Sequence, residues 1–210
     1  MKFKNNLKSY LLVIGLGVAA GLLTTALDFF PYDTLWSFSA IASAFGFWII
    51  TTTLIIYFSS SNINAAANAF LYLSSMNFSF YLLKYMIGLF DPRFYSLGGL
   101  NWGLLLRFDI LALGCAVISF GLYYWNKDTV FSNILYALPI SGLGAETIGV
   151  TVFLFKTHTY LFQLLINILG LALLLSLFHK KITNKPLFII ITIVGSLIGA
   201  GVFYLPTIIH

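Results

Sequence analysis

Apolar residues come in long uninterrupted runs, separated by short polar connections. The runs cover residues 10–30, 36–58, 68–90, 102–125, 130–155, 160–178 and 186–208. A helix rises about 1.5 Å per residue, so about 20 apolar residues cross a hydrocarbon layer of about 30 Å. The pattern predicts an all-α polytopic transmembrane helix bundle of about seven helices, or six if one run is re-entrant. The connections carry the expected stop signals. Asp28, Pro31 and Asp33 end the first run, and residues 59–64 form a polar, uncharged link. Asp91, Pro92, Arg93, Gly98 and Gly99 read as a loop leading to Asn101. Aromatic residues flank several ends: Trp36 opens a cluster, and Tyr123, Tyr124 and Trp125 form a belt beside Asn126, Lys127 and Asp128.

Composition agrees with a bilayer as solvent. The chain is 60% hydrophobic and 8% charged, whereas soluble domains carry about 25% charged residues. With 210 residues and seven spans there is no room for a separate soluble domain, so residues 1–210 read as one integral membrane domain of a multi-pass cell-membrane protein. The net charge of +5 does not indicate nucleic acid, because the basic residues form no extended patch interleaved with aromatics. They sit mainly in the N-terminal tail and one late loop, where they act as topogenic charge. A cytoplasmic N-terminus puts Lys2, Lys4, Lys8, Lys127, Lys180, Lys181 and Lys185 inside, with Arg93, Lys156 and, for seven spans, His210 outside. The first run exceeds the roughly 7–15 residues of a signal-peptide core and reads as an uncleaved helix, with Thr24-Thr25-Ala26 the alternative cleavage point. Cys115 has no intrachain partner for a disulfide.

The stretch from Leu138 to Val150 stands out, since it holds Pro139, Gly142, Gly144, Gly149 and Glu146 inside an apolar run. A charge at membrane depth costs a few kcal/mol and needs a partner or a water-filled cavity. On the assumed topology Glu146, Lys84, Arg107 and Asp109 all fall in the outer half of the membrane or near its midplane. Gln163 and Asn167, four apart, share a helix face in the same half. Two readings follow. In one, these six residues line a polar vestibule open to the outside; in the other, Lys84 and Arg107 snorkel outward and a carboxylate pairs with one of them to orient helices. Arg107 and Asp109 are two apart and point to different sides, so their partners belong to other helices. Asp109 shares a face with Ala112, Ala116 and Ser119, and Gly17 with Gly21 and Gly195 with Gly199 also suit close helix approach. Pro139 and its neighbouring glycines either break the fifth helix to free backbone groups for a ligand, or only kink it.

Enzymatic signatures are weak. There is no His-Glu-x-x-His zinc motif, no Gly-x-Ser-x-Gly elbow and no P-loop. Without a P-loop the chain cannot energise transport with ATP on its own. An acid–base pair of Glu146 with His158 is the remaining enzymatic option. No cofactor and no metal site are expected. The Gly17–Gly21 opening helix, Leu35-Trp36 and the segment Gly142-Leu-Gly-Ala-Glu146 resemble a family of small uncharacterised bacterial integral membrane proteins, a resemblance that implies no activity. Size and topology are also similar to the S subunits of energy-coupling-factor transporters, which capture a vitamin or metal from outside; those typically have six helices where this chain has seven runs. The expected function is a membrane-embedded binding or transport protein for a small polar solute, with Glu146, Asp109, Arg107, Lys84, Asn167 and Gln163 as ligand-binding residues. The expected partners are the lipid bilayer and that solute. The alternative is a non-catalytic partner or regulatory subunit of another membrane complex, with a membrane protein as its partner.

Overall fold

The computed structural model describes residues 2–91, 99–127 and 129–204. Expectations concerning Pro92, Arg93, Gly98, Asp128 and residues 205–210, including His210, lie outside them. The described residues form seven α-helices: α1 (Leu7–Asp28), α2 (Phe45–Phe58), α3 (Asn62–Gly88), α4 (Trp102–Leu122), α5 (Val130–Thr157), α6 (Leu161–Phe178) and α7 (Lys185–Phe203). Short 3-10 turns lie at Phe38–Ala42 and Tyr123–Asn126. Extended pairing among the described residues is limited to an isolated bridge between Phe3 and Ser59. This is the all-α bundle predicted, as the bilayer requires, because helices satisfy their backbone groups internally. Five helices are long and apolar enough to cross a membrane: α1, α4 with its 3-10 extension, α5, α6 and α7. The protein is a multi-pass membrane protein.

Side chains define several helix starts. Asn6 accepts a hydrogen bond from the Ser9 amide at 2.9 Å, Asn101 from Leu104 at 3.1 Å, and Asn184 from Leu187 at 3.1 Å. Each supplies an acceptor to one of the orphan donors of a first turn. Ser61 does the same for Asn64, so α3 starts six residues before the apolar run that announced it. Asn62, Asn64, Asn68 and Asn77 make α3 too polar to rank with the five candidate spans, although it is 27 residues long.

The second run is not one helix. It divides into the 3-10 turn and the 14-residue α2, which is only about 21 Å long. Its first half is rich in serines that bond to local carbonyls: Ser37 Oγ donates to Thr34 O at 2.6 Å and Tyr32 O at 2.7 Å, and Ser43 Oγ to Ala40 O at 3.2 Å. Such bonds offer the backbone an alternative to the helix. By contrast α5 runs unbroken through Pro139. Of the two readings of Pro139, break or kink, the break does not occur in α5; the interruption lies in the second run.

Two compact units account for the chain, Met1–Phe29 with Leu54–Tyr123, and Phe30–Thr53 with Tyr124–His210. In the first, α3 is central. Gly17 lies against Tyr72 and Ser75, and Gly21 against Met76 and Ser79, so α1 runs parallel to α3 with its glycines on the α3 backbone. Antiparallel α4 is tied to α3 by the Asn62 side chain donating to Phe120 O at 2.8 Å. The buried Ala112 and Ser119 lie on the small-residue face of α4 that suits close helix approach.

In the second unit α5 is central. Parallel α7 meets it through Gly195 against Ser141, Ser196 against Gly144, and Gly199 against Ala145. Ser141 Oγ donates to Ile191 O at 3.3 Å and Ser196 Oγ to Ser141 O at 3.3 Å. Small residues let backbones approach closely enough for dispersion to hold helices together where no water is expelled. One α6 face, Gln163, Asn167, Gly170, Leu174 and Phe178, is buried. Trp125, expected at the aqueous edge, is only 1% exposed and stacks on Tyr136 at 5.4 Å, with Phe178 also at 5.4 Å from Trp125. The aromatic cluster opened by Trp36 is present: Phe38 stacks on Trp36 at 5.9 Å and meets Phe162 edge-on at 4.8 Å.

Candidate functional site

The beginning of α2 and the middle of α5 meet within the second unit. Phe45 and Gly46 are the first residues of α2, and their amides have no partner inside the helix. Both face the carboxylate of Glu146. A helix start carries about half a positive charge, so a carboxylate placed there is favoured by both hydrogen bonding and the macrodipole. The Tyr204 hydroxyl, just after α7, donates to Glu146 Oε2. Glu146 is 3% exposed and does not face lipid. Gly149, one turn further along α5, makes room for the Tyr204 ring, which a side chain there would strike.

Gln163 and Asn167 approach the same point from α6. A methyl group on Gly46 would overlap Asn167 Oδ1 and lie 2.7 Å from Gln163 Nε2, so the glycine admits both amides onto the helix start. Gln163 Nε2 donates to Asn167 Oδ1 at 2.8 Å. Their other ends, Gln163 Oε1 and Asn167 Nδ2, are buried and have no hydrogen-bond partner among the described residues. Turning both amides over exchanges their roles and leaves the same inventory, one donor and one acceptor unspent.

The surrounding turns are held in unusual backbone conformations. Ser37, His158 and Tyr160 have φ of 41°, 55° and 70°, a region that bulky residues enter rarely and at a cost. The Tyr160 amide donates to Ser37 Oγ at 3.2 Å and the Leu161 amide to Leu35 O at 2.9 Å, which fastens the segment before α2 to the start of α6.

Of the six predicted site residues, Glu146, Gln163 and Asn167 come together in the second unit. Lys84, Arg107 and Asp109 belong to the first. Lys84 pairs there with Asp28, from α1, rather than with Asp109 or Glu146. Asp109 Oδ1 accepts a 3.4 Å bond from Asn77. Arg107 is exposed. His158 caps the end of the same helix, twelve residues beyond Glu146 and about 18 Å along its axis, so the two form no acid–base pair. The described residues contain no group of three His, Cys, Asp or Glu suited to a metal ion. No protein-family model matches this chain, and comparison with curated proteins and with solved structures gives no match.

Sequence reasoning missed Tyr204, Gly46 and the two α2 amides. Backbone donors have no letter of their own. The available signal was indirect: a glycine shortly after Ser37, Ser39 and Ser43, in a run too serine-rich at its start to be one uniform helix.

Proposed function

We propose that this membrane-embedded protein binds, and in its cellular setting transports, a small polar solute in the second unit, at Gln163, Asn167 and the Glu146-capped start of α2. One observation carries the reading: a completely buried amide pair keeps one donor and one acceptor unspent beside a broken helix. Buried polar groups are almost always paired, and transporters commonly bind solutes where a membrane helix is interrupted. In this reading Gln163 and Asn167 contact the solute's hydrogen-bonding edge. Glu146 holds the α2 start in place, and Tyr204 covers the carboxylate. Placing the lysine-bearing end of the unit in the cytoplasm puts Glu146 about 16 Å from the opposite end of α5, in the outer half of a cell membrane.

The test is solute-dependent thermal stabilisation of the detergent-purified protein across a panel of small polar solutes. Stabilisation that is lost in Gln163→Leu and Asn167→Leu, both still folded, is expected. A wild-type protein indifferent to every solute, co-purifying with one fixed membrane protein, would instead favour a role as a partner subunit.

A further inference from the structure

We infer that the opposite end of the second unit is a binding site for an anionic phospholipid, its headgroup phosphate held by Lys127, Lys180, Lys181 and Lys185. This inference is independent of the solute site. The four lysines are brought to one end by a buried aromatic contact and a half-buried hydrogen-bond clamp. Trp125, two residues before Lys127, packs on Phe178, two residues before Lys180. Asn133, in the first turns of α5, donates to Thr183 Oγ1 at 3.0 Å and accepts from the amides of Thr183 and Asn184 at 3.0 and 3.1 Å. That clamp fixes the α6–α7 turn from which Lys180, Lys181 and Lys185 project. All four lysines are exposed.

Charge and apolar surface here match a phospholipid in both of its parts. Between Tyr124 and Lys185 this end carries four lysines against one acidic neighbour in sequence, Asp128. Lys127 lies 4.3 Å from the centre of the Tyr124 ring, an aromatic–cation pair of the kind found at headgroup depth. Directly after it Val130 and Phe131, on the first turn of the membrane-crossing α5, are 62% and 57% exposed. A headgroup on the lysines would lay its acyl chains along that apolar turn. A loop already fixed by Asn133 loses little freedom when it closes on a phosphate. This separates a defined site from the diffuse attraction of a flexible basic tail.

The experiment compares phosphatidylglycerol with phosphatidylcholine of the same chain length, added to the full chain in neutral detergent, with bound lipid counted by native mass spectrometry. Preferential retention of phosphatidylglycerol is expected, falling with salt and weakening about five-fold for each lysine changed to alanine. A variant with all four lysines changed to arginine should keep the preference. Equal retention of the two lipids by the wild type, or a preference untouched when all four lysines become alanine, overturns the inference. Full competition by soluble glycerol phosphate would also overturn it, by assigning the site to a free phosphate ester.

Discussion

Replacing Glu146 by glutamine keeps the side-chain shape and removes the charge, which isolates what the carboxylate contributes. In the native protein it accepts a hydrogen bond from the Tyr204 hydroxyl and faces the Phe45 and Gly46 amides. A neutral amide turns an NH2 toward at least one of them, and an unsatisfied buried donor costs about 1–3 kcal/mol. Losing the negative charge opposite the α2 start adds roughly 0.3–2 kcal/mol. Together Glu146→Gln should destabilise by about 2–4 kcal/mol, and Glu146→Leu, which strands all three donors, by about 4–6 kcal/mol. Tyr204→Phe should cost about 1–2 kcal/mol in the native background and much less beside Glu146→Gln, because the two share one hydrogen bond. Equilibrium unfolding in mixed micelles, followed by helical circular dichroism, measures all four corners of the cycle. A Glu146→Leu protein as stable as the wild type would refute the capping argument, as would a Tyr204→Phe penalty of equal size in both backgrounds.

Three further outcomes follow from contacts elsewhere. Gly21→Ala should cost about 1–3 kcal/mol, since the new methyl overlaps Met76 O and Ser79 Oγ of α3; Gly15→Ala, which meets nothing within 4 Å, should be neutral or gain up to about 1 kcal/mol. The same unfolding titration reads both, and equal effects would contradict the α1–α3 packing. The Lys84–Asp28 pair has side chains 38% and 23% exposed, so a double-mutant cycle with Lys84→Met and Asp28→Asn should give a coupling of only about 0–1 kcal/mol. Asn133→Ala strands the amides of Thr183 and Asn184. Trypsin should then cut at Lys180 and Lys181 several-fold faster, and an unchanged cleavage rate would show that the clamp does not restrain the turn.

Elements whose partners are mostly lipid or local were legible in the sequence. The runs that announced α4, α5 and α6 end within a few residues of the helices, because bilayer thickness and backbone satisfaction alone dictate them. The shared face of Gln163 and Asn167 followed from their spacing, and the burial of Glu146 from the cost of a charge in lipid. What could not be read is the register between distant segments. Lys84 and Asp28 were both placed toward the same side of the membrane, but their pairing depends on α1 lying parallel to α3, with Gly17 and Gly21 seated on the α3 backbone. Trp125 carries the same letter whether it faces headgroups or stacks on Tyr136. The break before α2 arises from serine hydroxyls competing for carbonyls, and it persists because Glu146, from a different helix, supplies the acceptor its amides lack.

That acceptor arrives late in synthesis. Gly46 and Glu146 are 100 residues apart in the chain, an interval of about 5–20 s at ordinary ribosomal speed. Throughout it α2 is too short to cross the bilayer and has two amides unmet, so this segment cannot settle at its final depth when it leaves the ribosome. The contact predicts that the fifth helix completes the membrane insertion of the second. A ribosome stalled after α4 but before Glu146 should hold residues 38–58 in a shallower position, open to a water-soluble thiol reagent at an engineered Phe45→Cys, and extension past Glu146 should close that access.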